Sequence, residues 1–464
     1  MKLRRWQSAC LTKASKRFEN YPHFMCLATP GSGKTRLAAA LAQKLMHSGQ
    51  IDFVLCFAPS VEVVLSMAST FTEVLGRRFD GQLGAIGGAY TYQSLLSIPS
   101  EFWQIFDSYR VLVVLDEVHH CAGSDLSNAN CWGQSILSKI QNRARFSLAL
   151  SGTPWRSDDL PIVLANYSDP DGKVRCDFEY GLAQAIEDGV CRNPKIVLID
   201  HDQIRITSGK SESKSFESFE KLLNSRSVSY DDLIHDLEAI RFMLKRGCQK
   251  LKEIRHKNPR AAGLVVARSV EHAHTIAAEL SYFYGQSVKV VTYKEPDAGN
   301  TIDEFRHSDD QWIVSVGMIS EGTDIPRLQV CCHLSIIKTE MHFRQVLGRI
   351  LRMTNDDDKT AWMFTFAEPT LTKFAQGLAQ DIPDSRVVEF DTLPLLQTRI
   401  KPKETFRDES VGGYKPSLQI GIGSKNSHVQ HPALELGIEM KVRPQLEWMG
   451  HFREQVISTF NSPF

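Results

Sequence analysis

Short apolar runs, unbroken rather than alternating, recur along this 464-residue chain with helical stretches between them. They lie at 53–58 (Phe-Val-Leu-Cys-Phe-Ala), 111–115 (Val-Leu-Val-Val-Leu), 146–150, 196–199, 263–267, 288–292, 312–316, 330–336 and 361–366. A strand with one wet face alternates polar and apolar residues. An unbroken run suits a strand covered on both faces, as in a parallel sheet with helices above and below. Residues 36–48 and 269–284 read as two of those helices. The alternation predicts an α/β chain with more strands than one sheet comfortably holds.

Composition narrows the field. Apolar residues make up 42% and charged residues 23%, which excludes a largely disordered or collagen-like chain. Lys plus Arg total 54 and Asp plus Glu total 54, so the net charge is zero. A protein that coats nucleic acid by charge alone is excluded, and any positive groups that grip a polyanion must be gathered in one place. No stretch of 18 apolar residues occurs, and no apolar run follows the basic opening Met1-Lys2-Leu3-Arg4-Arg5, so neither a membrane span nor a signal peptide is expected. The 10 cysteines form no CxxC pair, and the spacing of His119, His120, Cys121 and Cys131 matches no familiar zinc pattern. Reduced thiols in a cytoplasmic protein are the simple expectation.

Two stretches break the α/β pattern. Residues 203–229 are rich in Ser, Lys and Glu and predict a loop or insertion, and 399–431 reads as a linker. Beyond it, Leu446, Met449, Phe452 and Val456 have helical spacing and predict a short amphipathic helix.

Ala28-Thr29-Pro30-Gly31-Ser32-Gly33-Lys34-Thr35 follows an apolar segment and opens a helix. Close-packed backbone N–H groups, allowed by the missing Cβ of Gly31 and Gly33, and a helix N-terminus together favour a bound phosphate chain. In such a loop Lys34 reaches the outer phosphates of a nucleoside triphosphate, and the Thr35 hydroxyl holds Mg²⁺. Asp116-Glu117-Val118-His119-His120 comes directly after the run 111–115. The C-terminal end of a buried strand is where α/β sheets bind ligands. There Asp116 can hold Mg²⁺ and Glu117 can orient or deprotonate an attacking water.

Asp116-Glu117-Val118-His119 resembles the DExH box of superfamily-2 helicases and translocases. An ordered set of motifs extends that resemblance over roughly 3–366. Gln7 resembles the upstream glutamine that reads adenine. Pro59-Ser60 resembles motif Ia. Thr91-Tyr92-Gln93-Ser94-Leu95 resembles motif Ib of the branch holding type III restriction subunits and XPB-like helicases. Ser151-Gly152-Thr153-Pro154 resembles motif III, and Gly263 to Ser269 resembles motif IV. Val316 to Pro326, with Ser320-Glu321-Gly322-Thr323-Asp324 at its centre, resembles motif V. Gln345-Val346-Leu347-Gly348-Arg349-Ile350-Leu351-Arg352 matches the pattern of motif VI.

The resemblance implies two tandem RecA-like parallel-sheet domains with ATP and Mg²⁺ in the cleft between them, plus a small C-terminal extension. The expected division is 1–178, 179–385 and 386–464. Catalysis falls to Lys34, Asp116, Glu117, Gln345, Arg349 and Arg352, with Arg352 the leading arginine finger. A permanently charged guanidinium on the second domain makes hydrolysis depend on closure. Nucleotide contacts fall to Gln7, Thr29, Pro30, Gly31, Ser32, Gly33, Lys34, Thr35, Gly322 and Asp324, and the metal to Thr35 and Asp116. Pro59, Ser60, Thr91, Tyr92, Gln93, Arg268, Ser269 and Thr323 are the expected nucleic-acid contacts. They are small polar groups suited to phosphates rather than base edges. His119, Ser151 and Thr153 would link the two sites. Trp155 suits either a base or the domain cleft.

Three functions fit: an ATP-driven translocase or helicase, a slow nucleotide-gated scaffold that recruits a nuclease, and an ATPase acting on protein. The motif order favours the first, and resemblance favours DNA over RNA. Phage defence, restriction and repair are all settings for such a core. The zero net charge then predicts cations clustered along one groove, with binding that weakens as salt rises.

Overall fold

The computed structural model describes residues 3–379 and 445–458, apart from 157, 159, 169–171, 173, 208–212, 296, 320–322 and 354–358. The apolar runs become strands of two sheets. The first sheet holds β1 (His23–Ala28), β2 (Phe53–Ala58), β3 (Gly87–Thr91), β4 (Val111–Asp116), β5 (Phe146–Ser151) and β8 (Phe178–Tyr180). Its order is β3-β2-β4-β5-β1-β8, every pair parallel. A two-strand hairpin, β6 (Asn166–Tyr167) with β7 (Val174–Arg175), stands beside it.

The second sheet holds β9 (Asn193–His201), β12 (Ala262–Ala267), β13 (Val288–Thr292), β14 (Trp312–Val316), β15 (Leu328–Leu334), β16 (Thr360–Phe366) and β18 (Phe452–Ser458). Its order is β13-β14-β12-β15-β16-β9-β18, parallel except for β18. A small sheet joins β11 (Lys214–Phe216), β10 (Ile204–Thr207) and β17 (Gln445–Trp448).

Helices cover both faces, as unbroken strands require. The helix Lys34–His47 buries Leu37, Ala38, Ala39, Leu41, Ala42 and Leu45. Its run of alanines brings the helix axis close to the sheet, which fixes the start of the helix at the strand ends. In the second sheet Gly263 has Trp312 as its neighbour, and a Cβ there would come within 2.3 Å of the indole. Only glycine gives that ring room.

Four expectations change. Of the expected loop or insertion at 203–229, the described residues form β10, β11 and the helix Phe219–Asn224, which is an insertion with its own elements rather than a loop. Residues 446–456 form two strands rather than an amphipathic helix, because β17 pairs with β10 and β18 runs antiparallel to β9. The end of the chain at 445–458 is therefore built into the second half instead of standing apart as an extension. The change of sheet also falls later than 178/179: β8 and the helix Leu182–Glu187 follow the first sheet, and the second begins at Asn193. The expected linker 399–431 lies outside the described residues.

Candidate active site

The C-terminal ends of β1, β4 and β5 meet at one edge of the first sheet. Gly31 and Gly33 stand at φ +80° and +94°, a backbone region costly for any residue with a Cβ. Gly33 precedes the helix Lys34–His47, whose first N–H groups have no partner within the helix. Lys34 is only 9% exposed. Its ammonium donates to the Ala28 carbonyl at 3.2 Å and pairs with Glu117 Oε1 at 3.0 Å.

Glu117 lies just beyond β4 in a left-handed conformation, φ +50°, which costs on the order of 1–3 kcal/mol. The turn aims its carboxylate across the strand ends. There Oε2 accepts from the Gly152 N–H at 3.2 Å and from the Ser151 hydroxyl at 3.4 Å. His119, almost wholly buried, meets Ser151 Oγ with Nδ1 at 2.9 Å. The Thr153 N–H donates to the same hydroxyl at 3.0 Å. His119, Ser151 and Thr153 thus form one buried relay behind Glu117.

Asp116 is 6% exposed, and its Oδ1 has no hydrogen-bond partner among the described residues. Burial, reinforced by the neighbouring Glu117 charge, pushes its carboxyl up to about 7. Asp116 and Thr35 line the same cleft, and a carboxylate beside a hydroxyl has the hard oxygen chemistry that Mg²⁺ prefers. The residues present fit that ion.

The opposite wall comes from the second sheet. A cleft of about 340 Å³ is lined by Gly31, Lys34, Thr35, Asp116 and Glu117 on one side and by Asp324, Gln345, Arg349 and Arg352 on the other. Arg349 Nη1 donates to the Thr323 carbonyl at 2.9 Å. Arg352 pairs with Asp324, and its Cγ lies 2.9 Å from where a Cβ on Gly31 would stand. The arginine therefore rests against the phosphate loop.

Other expected residues take different places. Gln7 reaches the phosphate loop, but both ends of its amide are used there: Nε2 donates to the Gly33 carbonyl at 2.9 Å and Oε1 accepts from the Arg4 N–H at 2.8 Å. It braces the loop. Thr29 and Ser32 are buried within the loop, whereas Pro30 lines the cleft. Pro59 also lines that cleft, which puts it beside the nucleotide pocket.

Tyr92 is fully buried, with its hydroxyl donating to the Asp116 carbonyl at 2.8 Å. Thr323 is 5% exposed and donates to the Met318 carbonyl at 3.0 Å. Both hydroxyls point inward, to main-chain carbonyls. Gln93 is exposed, whereas Ser60, Thr91 and Ser269 cap helix starts. Arg268 pairs with Asp231 at 3.0 Å. Trp155 is buried and sits under the Arg344 guanidinium, 5.4 Å from its ring centre, so it packs at the cleft instead of presenting a face to a base. Gly322 and Ser320 lie outside the described residues.

Arg4 and Val190 escaped the sequence reading, and Arg156, which follows Trp155 and was expected to add a charge for nucleic acid, is held against the site instead. Arg4 lines the cleft and donates to the Ser32 carbonyl at 2.7 Å. Arg156 donates to the His119 carbonyl at 2.6 Å. Val190 lines the cleft from the connector between the sheets. The pair Arg4-Arg5 beside Gln7 was a visible signal for the first; nothing local marked Val190.

Known proteins resemble this arrangement. The family described as type III restriction enzyme, res subunit, matches residues 1–156, and the helicase conserved C-terminal domain matches residues 247–354. An uncharacterized protein of Mycobacterium leprae is 29% identical over 393 residues, covering 81% of this chain and 64% of its own length. One from Mycobacterium tuberculosis is 30% identical, with 76% of this chain and 60% of that protein covered. The chain thus spans less than two thirds of these relatives. The DNA 3'-5' translocase XPB2 of Sulfurisphaera tokodaii is 22% identical over 69% of this chain and 73% of that protein. Among solved structures, a fragment described as an HsdR subunit of a type I restriction enzyme from Vibrio vulnificus shares the fold. Its TM-score is 0.54 at 18% identity, over 81% of this chain and 66% of that one.

Proposed function

Because the chain belongs to the superfamily-2 helicases, in the branch of the restriction subunits and XPB-like translocases, we propose that it is an ATP hydrolase that moves along or remodels DNA. The observation that carries this reading is the meeting of Lys34, Asp116 and Glu117 from one sheet with Gln345, Arg349 and Arg352 from the other in one cleft. Lys34 and the phosphate-loop amides bind the triphosphate. Glu117 takes the proton of the attacking water once Lys34 turns from it to the phosphates. Arg349 and Arg352 balance the charge that develops on the transferring phosphoryl group, and Gln345 orients the water. Mg²⁺, held by Thr35 and Asp116, supplies neutralising charge at the outer phosphates. Because the two walls belong to different sheets, turnover requires closure, and closure moves the two sheets over a bound strand.

The XPB2 relative is named as a DNA translocase, which favours DNA over RNA here. Phage defence, restriction or repair in the cytoplasm, with a partner nuclease, is the setting that the branch suggests. Among the described residues no helix is long and apolar enough to cross a membrane.

The test is ATP turnover with single-stranded DNA, duplex DNA and RNA added separately. DNA should raise it most, and the rise should shrink as salt increases. Equal rates with and without every nucleic acid would sink the reading. Strand displacement against triplex displacement then separates unwinding from translocation.

A further inference from the structure

The connector between the two sheets contains a fully buried arginine. Arg192 is 0% exposed and is among the largest wholly buried side chains. Its guanidinium donates to main-chain carbonyls of two separate segments. Nη1 reaches the Leu328 carbonyl at 2.8 Å, the Ile350 carbonyl at 3.0 Å and the Pro326 carbonyl at 3.3 Å. Nη2 also reaches Pro326, at 3.3 Å.

Each segment leads to the cleft. Ile350 ends the helix Glu340–Ile350, which carries Gln345 and Arg349. The last carbonyls of a helix lack partners within it, and its C-terminal end carries partial negative charge. A guanidinium meets both needs. Pro326 lines the cleft and lies two residues after Asp324, the partner of Arg352. The backbone repeats the tie: the Arg192 N–H donates to the Leu351 carbonyl at 2.7 Å, and Cys191 forms an antiparallel bridge with Arg352. The preceding residues reach the other wall, where Val190 lines the cleft and the Cys191 thiol faces the Pro30 carbonyl at 3.6 Å.

We propose that Arg192 is a positioning residue for the arginine wall. It locks the C-terminus of the helix bearing Arg349 to the segment following Asp324, and anchors both to the connector that touches the phosphate loop. The planar fork is what allows this. Nη1 meets carbonyls of both segments while Nη2 adds a second bond to Pro326, and the rigid guanidinium plane fixes the two nitrogens relative to each other in a way that the freely rotating ammonium of lysine does not. The catalytic consequence rests on the ATP-hydrolase reading above; the positional claim does not.

The test compares Arg192→Met, Arg192→Lys and, as a destabilised control, Met243→Ala, which changes a buried residue of the helix Leu237–Arg255. Two measurements are made on each: kcat and KM for ATP with DNA present, and backbone amide exchange in the nucleotide-free protein. Arg192→Met should lower kcat by about 10- to 100-fold with KM little changed, as misplaced charge at a transition state requires. Arg192→Lys should recover part of that loss. Exchange should quicken at 323–328 and 348–353 beyond any rise in Met243→Ala, which keeps wild-type kcat per folded molecule. A wild-type kcat in Arg192→Met, or a loss matched by the control, would overturn the catalytic role. Unchanged exchange in those two segments would overturn the positional claim itself. A wild-type protein that hydrolyses no ATP would refute the hydrolase reading and with it the catalytic role, while exchange still decides whether Arg192 holds the wall.

Discussion

On one side of the cleft, Gly31, Gly33 and Lys34 take their places from the turn and helix that they themselves form, and Asp116 from the end of its own strand. On the other side, Arg349 and Arg352 stand at and just beyond the end of a helix whose position depends on distant segments: the Thr323 carbonyl, Asp324 and the connector at 191–192. The first wall is written in contiguous sequence and the second is assembled. A locally encoded wall is damaged chiefly by changes within its own motif. An assembled wall is also open to changes elsewhere in the chain.

The comparison can be broken most directly at the second wall. Arg352→Ala should lower kcat on the order of 10³-fold in steady-state ATP hydrolysis, the loss typical of a missing arginine finger. Turnover near wild type would mean that hydrolysis proceeds on the first wall alone. Glu117→Gln should cost on the order of 10²-fold or more in kcat, while ATP binding measured by titration persists and tightens as Lys34 loses its ion-pair partner.

A smaller effect is expected from Gly33→Ala. The left-handed backbone and the Gln7 amide 2.9 Å from the new methyl should together destabilise the protein by about 1–2 kcal/mol, read from the denaturant midpoint. No change there would show that the loop is set from outside and that the contrast between the walls is false.

The mildest test uses pH. Asp116 holds its proton more tightly in the folded protein than an ordinary carboxyl does, because it is buried beside Glu117. Its contribution is therefore fully present below about pH 4 and is lost as pH rises through about 7. In chelator, Asp116→Asn should flatten the fall in Tm over that window. An unchanged slope would place the titrating group elsewhere.

Much of this was legible in the sequence, for a physical reason that also explains the failures. Unbroken apolar runs mark strands buried on both faces, and β2, β4, β5, β9 and β12 to β16 coincide with the expected runs, whereas β1, inside the first sheet, was seen only as the apolar segment before the phosphate loop. The edges were harder. Ile204 and Ile206 are buried on either side of Arg205, so the alternation of β10 was visible, yet a Ser- and Lys-rich neighbourhood masked it. At 446–456 the spacing of Leu446, Met449, Phe452 and Val456 suits a helix. The strands win because Gly450 lets the chain turn tightly over Asp202, whose carboxylate accepts from the His451 N–H at 2.6 Å, and because β9 offers an open edge. That partner lies some 250 residues earlier in the chain, where a local pattern cannot register it.

The sequence by itself determined the α/β class, the phosphate loop, the acid pair at a strand end and the arginines that belong opposite them. The first three rest on short-range rules, namely backbone freedom of glycine, strand burial and helix starts, whereas the arginines rest on the resemblance of 345–352 to motif VI. Only the tertiary structure decided that Gln7 is tied within the loop, that Tyr92 and Thr323 face inward, that Arg352 lies against Gly31, and that Arg192 joins the connector to the arginine wall. Each of these depends on which buried donor finds which acceptor, and that is settled by atoms brought within about 3 Å from distant parts of the chain.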